Sequence, residues 1–173
     1  MKINYGNFLI AAVFPLLAAA APNSAFAANP APGYSVCDPG NQSSWGPVTW
    51  GAGSKVPATA RIGGGTSIGS GTTIGANTII GACGTIGDNT KIFTQIRIGK
   101  GVTVDSGSTI GYRSRLGDNT KVGSGSKIAS SVQIGSNVTM GMGVAVGYAA
   151  RICDGAVLPD GMRIPSRMKF GCY

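Results

Sequence analysis

Cationic side chains recur along this chain at multiples of six, at Arg61, Lys91, Arg97, Arg115, Lys121, Lys127, Arg151, Arg163 and Lys169. The chemistry open to such a set is electrostatic. Guanidinium and ammonium groups held in register grip phosphate, sulfate or carboxylate groups, the arginines as planar forks. Tyr112 and Tyr148 add aromatic faces of the kind that stack on sugars or bases beside arginine.

The missing groups are as informative. The 173 residues contain no histidine, the commonest general base of group-transfer enzymes. All six acidic residues are aspartates, and Asp88 and Asp118 sit in repeated Gly-Asp-Asn-Thr sequences, a composition that suits a turn. The fragments Gly63-Gly64-Gly65 and Gly99-Lys100-Gly101 precede no helical pattern and carry no phosphate-loop meaning. Four cysteines, Cys37, Cys83, Cys153 and Cys172, show no CxxC spacing, so a zinc site is not expected. No metal and no cofactor is implied.

The elements that position these residues follow from the same period. Beginning at Ile62, every sixth residue up to Ile164 is aliphatic, eighteen in succession without an insertion. A helix repeats at about 3.6 and a half-buried strand at 2, so six marks a repeat architecture. Two residues before the aliphatic stands a small or β-branched residue, as at Thr66, Thr72, Thr78 and Thr90. One residue after it stands Gly in twelve of the eighteen units. Three residues after it Gly or Asn dominates, the residues that tolerate positive φ at a tight corner. Each unit is a short strand plus a corner. No unit buries a face alone, so successive units must wind into a solenoid around the aliphatic column.

This pattern resembles the bacterial transferase hexapeptide-repeat superfamily, whose unit is Leu/Ile/Val-Gly-x-x-small-x, over Arg61 to about Lys169. Phe93, Asp105, Ala129 and Cys153 depart from it at the Gly position. The resemblance implies an all-β, single-domain left-handed parallel β-helix with three hexapeptides per triangular coil, hence about six coils. Residues eighteen apart are then neighbours, and one outward column reads Arg61, Ile79, Arg97, Arg115, Gln133, Arg151, Lys169. A second reads Thr73, Lys91, Thr109, Lys127, Ala145, Arg163. On that register Cys83 and Cys153 fall in coils two and six, about 19 Å apart at ordinary strand spacing and too distant to pair. Cys172 comes one coil and one residue after Cys153, so the expected disulfides are Cys153–Cys172 and Cys37–Cys83.

Most enzymes of the superfamily are acyltransferases that use a histidine base and an acyl-coenzyme A donor, and its γ-class carbonic anhydrases hold zinc with three histidines. With neither histidine set present, the expectation leans against an enzyme.

Outside the repeat, residues 1–27 have a weakly basic start, an apolar run from Phe8 to Ala21 and a small-residue cleavage site at Ala25-Phe26-Ala27, the layout of a secretory signal peptide. Export favours disulfides. Residues 28–60, rich in Pro, Gly and Ser, read as a cap or linker whose Trp45 and Trp50 cover the first coil; 170–173 form a tail. Removing Lys2 with the leader leaves 13 basic against 6 acidic residues, a net charge of +7. The expectation is an exported, periplasmic or extracellular, non-catalytic β-solenoid. Its basic face (Arg61, Arg97, Arg115, Arg151, Lys169, with Tyr112 and Tyr148) would hold an anionic polysaccharide or other polyanion. Two alternatives stand beside it. One is a structural subunit that trimerises or stacks end to end, with Ile79, Phe93 and Val157 as outward apolar positions. The other is an acyltransferase-like enzyme with an atypical base. No mature membrane span is expected.

Overall fold

The computed structural model describes residues 46–172. Every regular element among them is a two-residue strand. β1 (Thr49–Trp50) is followed by β2 (Arg61–Ile62), and from there a strand starts every six residues up to β20 (Lys169–Phe170). Strands stay this short because the backbone turns to positive φ once per unit, for example at Gly71 (66°), Asn77 (56°) and Asn89 (53°). Gly has no Cβ to clash there, and Asn bears the conformation better than most residues.

Each strand pairs in parallel with the strands eighteen residues before and after it, as in Arg97↔Arg115 and Ile98↔Leu116. Three walls result, with seven, six and seven strands. Wall A carries outward Thr49, Ser67, Thr85, Thr103, Lys121, Thr139 and Val157. Wall B carries Thr73, Lys91, Thr109, Lys127, Ala145 and Arg163. Wall C carries Arg61, Ile79, Arg97, Arg115, Gln133, Arg151 and Lys169.

The winding makes about seven turns where the hexapeptide count from Ile62 leads one to expect six. The excess lies upstream. Thr49 and Trp50 pair with Ser67 and Ile68, and Lys55 bridges to Thr73. The reason is visible in register: Val56 and Trp50 stand six and twelve residues before Ile62 and extend the inward column backwards, while Phe170 extends it forwards. Trp50 is a wall residue paired with Ile68 and 52 % exposed. The expected cap over 28–60 therefore gives way to solenoid from Thr49 onward. Residues 1–45, with the expected leader, Cys37 and Trp45, and Tyr173 lie outside the described residues.

The interior has two columns. The aliphatic one, from Ile68 through Ile110 to Ile164, is buried throughout. The second, two residues earlier, is Thr or Ser in eight buried positions and Ile, Val or Ala in most others. Burying a hydroxyl costs free energy unless it is hydrogen-bonded. Here each finds a carbonyl fifteen residues on: Thr72 Oγ1 donates to Gly87 O (2.8 Å), Thr120 Oγ1 to Gly135 O (2.8 Å) and Ser126 Oγ to Gly141 O (3.1 Å). No buried side-chain polar atom among the described residues lacks a partner. The hydroxyls thus cross-link successive coils from within. No helix of the described residues is long and apolar enough to cross a membrane.

Candidate active site: an arginine-faced groove

The site is built by wall C. Strands β8 (Arg97–Ile98), β11 (Arg115–Leu116), β14 (Gln133–Ile134) and β17 (Arg151–Ile152) lie side by side in register. The inward residue of each pair sits in the core, which forces its predecessor outward. Arg97, Arg115, Gln133 and Arg151 therefore form one column, spaced by about 4.8 Å, the distance between neighbouring strands. These side chains, with Cys153 and Asp154 at the adjoining corner, line an open groove of about 400 Å³.

The electrostatics of the groove are one-sided. None of Arg97, Arg115 and Arg151 makes an ion pair or a side-chain hydrogen bond within the described residues. Asp154 is the only carboxylate in the lining. Its Oδ1 accepts from the Ser136 amide at 2.7 Å, leaving the second oxygen free to accept another proton donor. Asp88, Asp118 and Asp160 make the same contact with the amides of Ser70, Lys100 and Met142 (2.6, 2.7 and 2.7 Å). Corner bracing is the common role, and Asp154 is the one of the four that lines the groove. Chemically, the groove offers three unpaired guanidinium forks, one amide and one half-engaged carboxylate.

Of the residues singled out from sequence, Arg97, Arg115 and Arg151 come together in the groove. Arg61 and Lys169 belong to the same column but lie at its two ends, outside the lining. Tyr112 and Tyr148 stand on the corner between walls B and C, 48 % and 50 % exposed, and do not line it. Gln133 and Asp154 were not singled out as site residues. Gln133 was readable as a member of the column, whereas Asp154 resembled any other turn aspartate. Cys153 and Cys172 are joined by a disulfide with Cα atoms 5.2 Å apart, which fastens the last coil beside the groove. Cys83 is also disulfide-bonded, and the expected partner, Cys37, lies outside the described residues. Among the described residues no group of three His, Cys, Asp or Glu side chains is placed to hold a metal ion.

With this geometry in place, comparison with known proteins defines the class. Residues 113–148 match the family model of the bacterial transferase hexapeptide (six repeats). The fold is that of the hexapeptide-repeat parallel β-helix, and over those residues the sequence is the repeat itself. Among solved structures, UDP-N-acetylglucosamine acyltransferase from Campylobacter jejuni is similar at TM-score 0.63 and 21 % identity, over 65 % of this chain and 51 % of that one. The acetyltransferase domain of PglB from Neisseria gonorrhoeae is similar at TM-score 0.48 and 22 % identity, over 69 % of this chain and 54 % of that one. UDP-N-acetylglucosamine acyltransferase from Francisella novicida gives 0.30 and 23 %, over 67 % and 54 %. The chain spans about half the length of these structures. No curated protein matches its sequence.

These findings correct the expectation of a non-catalytic solenoid holding an anionic polymer. The structure that superposes best of these three is an acyltransferase, and the matched repeat is that of bacterial transferases.

Proposed function

We propose that the chain is an acyltransferase-type β-helix whose groove seats a phosphate-bearing small molecule, with a nucleotide sugar as the acceptor class. The observation that carries this reading is the set of three in-register guanidinium groups, Arg97, Arg115 and Arg151, left without partners around one groove. Arginine forks match phosphate oxygens in pairs, and charge-assisted bonds of this kind are about twice as strong as neutral ones.

In acyl transfer the acceptor amine or hydroxyl attacks the carbonyl carbon of an acyl thioester. The new C–N or C–O bond forms, the C–S bond breaks, and the thiol leaves. The proton lost by the acceptor needs a base, and in this groove the free oxygen of Asp154 is the group placed to take it. The groove is open to solvent, so a neighbouring subunit of a trimer would complete it and exclude water.

The test uses the purified chain with UDP-N-acetylglucosamine and acetyl-coenzyme A in separate arms. A leader over 1–27 and export would limit access to coenzyme A thioesters, so the two arms are read independently. Calorimetry is expected to show nucleotide-sugar binding that Arg115→Gln weakens by about tenfold or more, the worth of a hydrogen bond to a charged group. Asp154→Asn is expected to lower transfer by about 10²- to 10⁴-fold while leaving binding in place. A folded chain that binds neither compound refutes the reading.

A further inference from the structure

The three corners of the solenoid are not equivalent. Between walls A and B the left-handed position holds Gly71, Asn89, Gly107, Gly125, Gly143 and Gly161; between walls C and A it holds Gly65, Cys83, Gly101, Asn119, Asn137 and Gly155. Between walls B and C it holds Asn77 and then Gln95, Arg113, Ser131, Ala149 and Arg167, with φ of 61°, 57°, 62°, 56° and 63°. Left-handed backbone is costly for such residues, and strain of this kind gathers where side chains have work to do. This corner has no glycine at the left-handed position, and after Asn77 none of its residues is Asn.

The side chains it has kept are specific. Phe93 and Tyr112 stack across adjacent coils with ring centroids 4.6 Å apart and planes inclined by 35°. Beside them, Arg113 Nε donates to Gln95 Oε1 at 2.9 Å, which fixes the guanidinium along the same edge. Tyr112 remains 48 % exposed although Phe93 buttresses it. Two residues after Arg113, where the chain leaves the corner and enters β11, comes Arg115, with Arg97 directly beside it. An aromatic face, a fixed guanidinium and a phosphate-binding pair therefore follow one another from the corner onto wall C.

From this arrangement we infer that the Phe93–Tyr112 corner is a nucleobase platform, on which the base of a nucleoside diphosphate stacks while its phosphates run past Arg113 onto Arg115 and Arg97. The inference rests on the groove reading given above and extends it to a second subsite. A bare phosphate uses only the arginines; a nucleotide uses the ring as well. The same chemistry would serve the uridine of a nucleotide sugar or the adenosine of coenzyme A, and the test separates them.

The purified chain is titrated with pyrophosphate, UDP and ADP, with heat of binding and the ring-proton NMR signals of Tyr112 as readouts. UDP or ADP is expected to bind about 5- to 150-fold more tightly than pyrophosphate, the usual worth of stacking one base on an aromatic ring. Tyr112→Ala should reduce that nucleotide to the pyrophosphate level and leave pyrophosphate unchanged. Tyr112→Phe should restore it, and Arg115→Gln should weaken all three. Preference for UDP assigns the platform to the acceptor, and preference for ADP to the donor. Equal binding of nucleotide and pyrophosphate, with Tyr112→Ala silent and Arg115→Gln still effective, overturns the platform and leaves the groove standing. Failure of all three ligands to bind overturns both.

Discussion

Replacing Arg115 by Gln separates function from stability because the two effects have opposite signs. Arg115 is paired in register with Arg97 on one side and Gln133 on the other, with Arg151 one rung beyond. For like charges about 5 to 8 Å apart, repulsion in water is roughly 0.5–0.8 kcal/mol before screening. Arg151, near 10 Å away, adds about 0.4 kcal/mol on the same basis. Among the described residues Arg115 makes no ion pair. Glutamine keeps most of the stem and reproduces the side chain found naturally at position 133, so little packing is lost. The variant is therefore expected to be about 0.5–1 kcal/mol more stable than the parent at low ionic strength. In 1 M salt, where the screening length is about 3 Å, the gain should nearly vanish. Urea unfolding at 10 mM and 1 M NaCl, alongside the ligand titration, measures both signs on one protein. A variant less stable than the parent, or a gain indifferent to salt, would refute the claim that the column strains the wall and is kept for a ligand.

Two further outcomes follow from the packing. Ile110 is fully buried and paired with Ile92 and Ile128, whose positions are fixed by ladders on both sides, so the cavity left by Ile110→Ala has little room to collapse. The cost should lie at about 3–5 kcal/mol in urea unfolding, and Ile62→Ala, in the half-exposed first coil, should cost less than half of that; equal losses would deny a graded core. Cys172→Ser removes the clip closing a nineteen-residue loop. Amide exchange should quicken at Arg151 and Cys153, which donate to Met168 and Phe170, and stay slow at Lys121; unchanged exchange at Cys153 would show that the clip does not hold the last strand.

Much of the architecture is legible because the solenoid is nearly one-dimensional. A residue's wall, face and neighbours follow from its position within the eighteen-residue period, so Arg97, Arg115 and Arg151 can be stacked from the sequence alone. The reading fails where the chemistry of the column changes while its period does not. Trp50 and Val56 hold the register upstream of Ile62, but an aromatic residue and nearby prolines disguise them as a cap. Phe170 does the same downstream. The site is less legible for a different reason. Side-chain column membership is periodic, whereas concavity is not, and Asp154 differs from Asp88 and Asp118 in lining the groove. The strained corner left a faint trace, since Gln95, Arg113, Ser131, Ala149 and Arg167 interrupt the run of Gly and Asn three residues after the aliphatic.

Because each coil touches only the one before and the one after, the wall behaves like a ruler marked in rungs. Adding or deleting eighteen residues between Arg115 and Arg151 would move Arg151 by a single graduation relative to Arg115 without rewriting the interior. A lineage built this way can adjust the length of its arginine-bearing wall in equal increments, by copying a segment instead of redesigning a pocket.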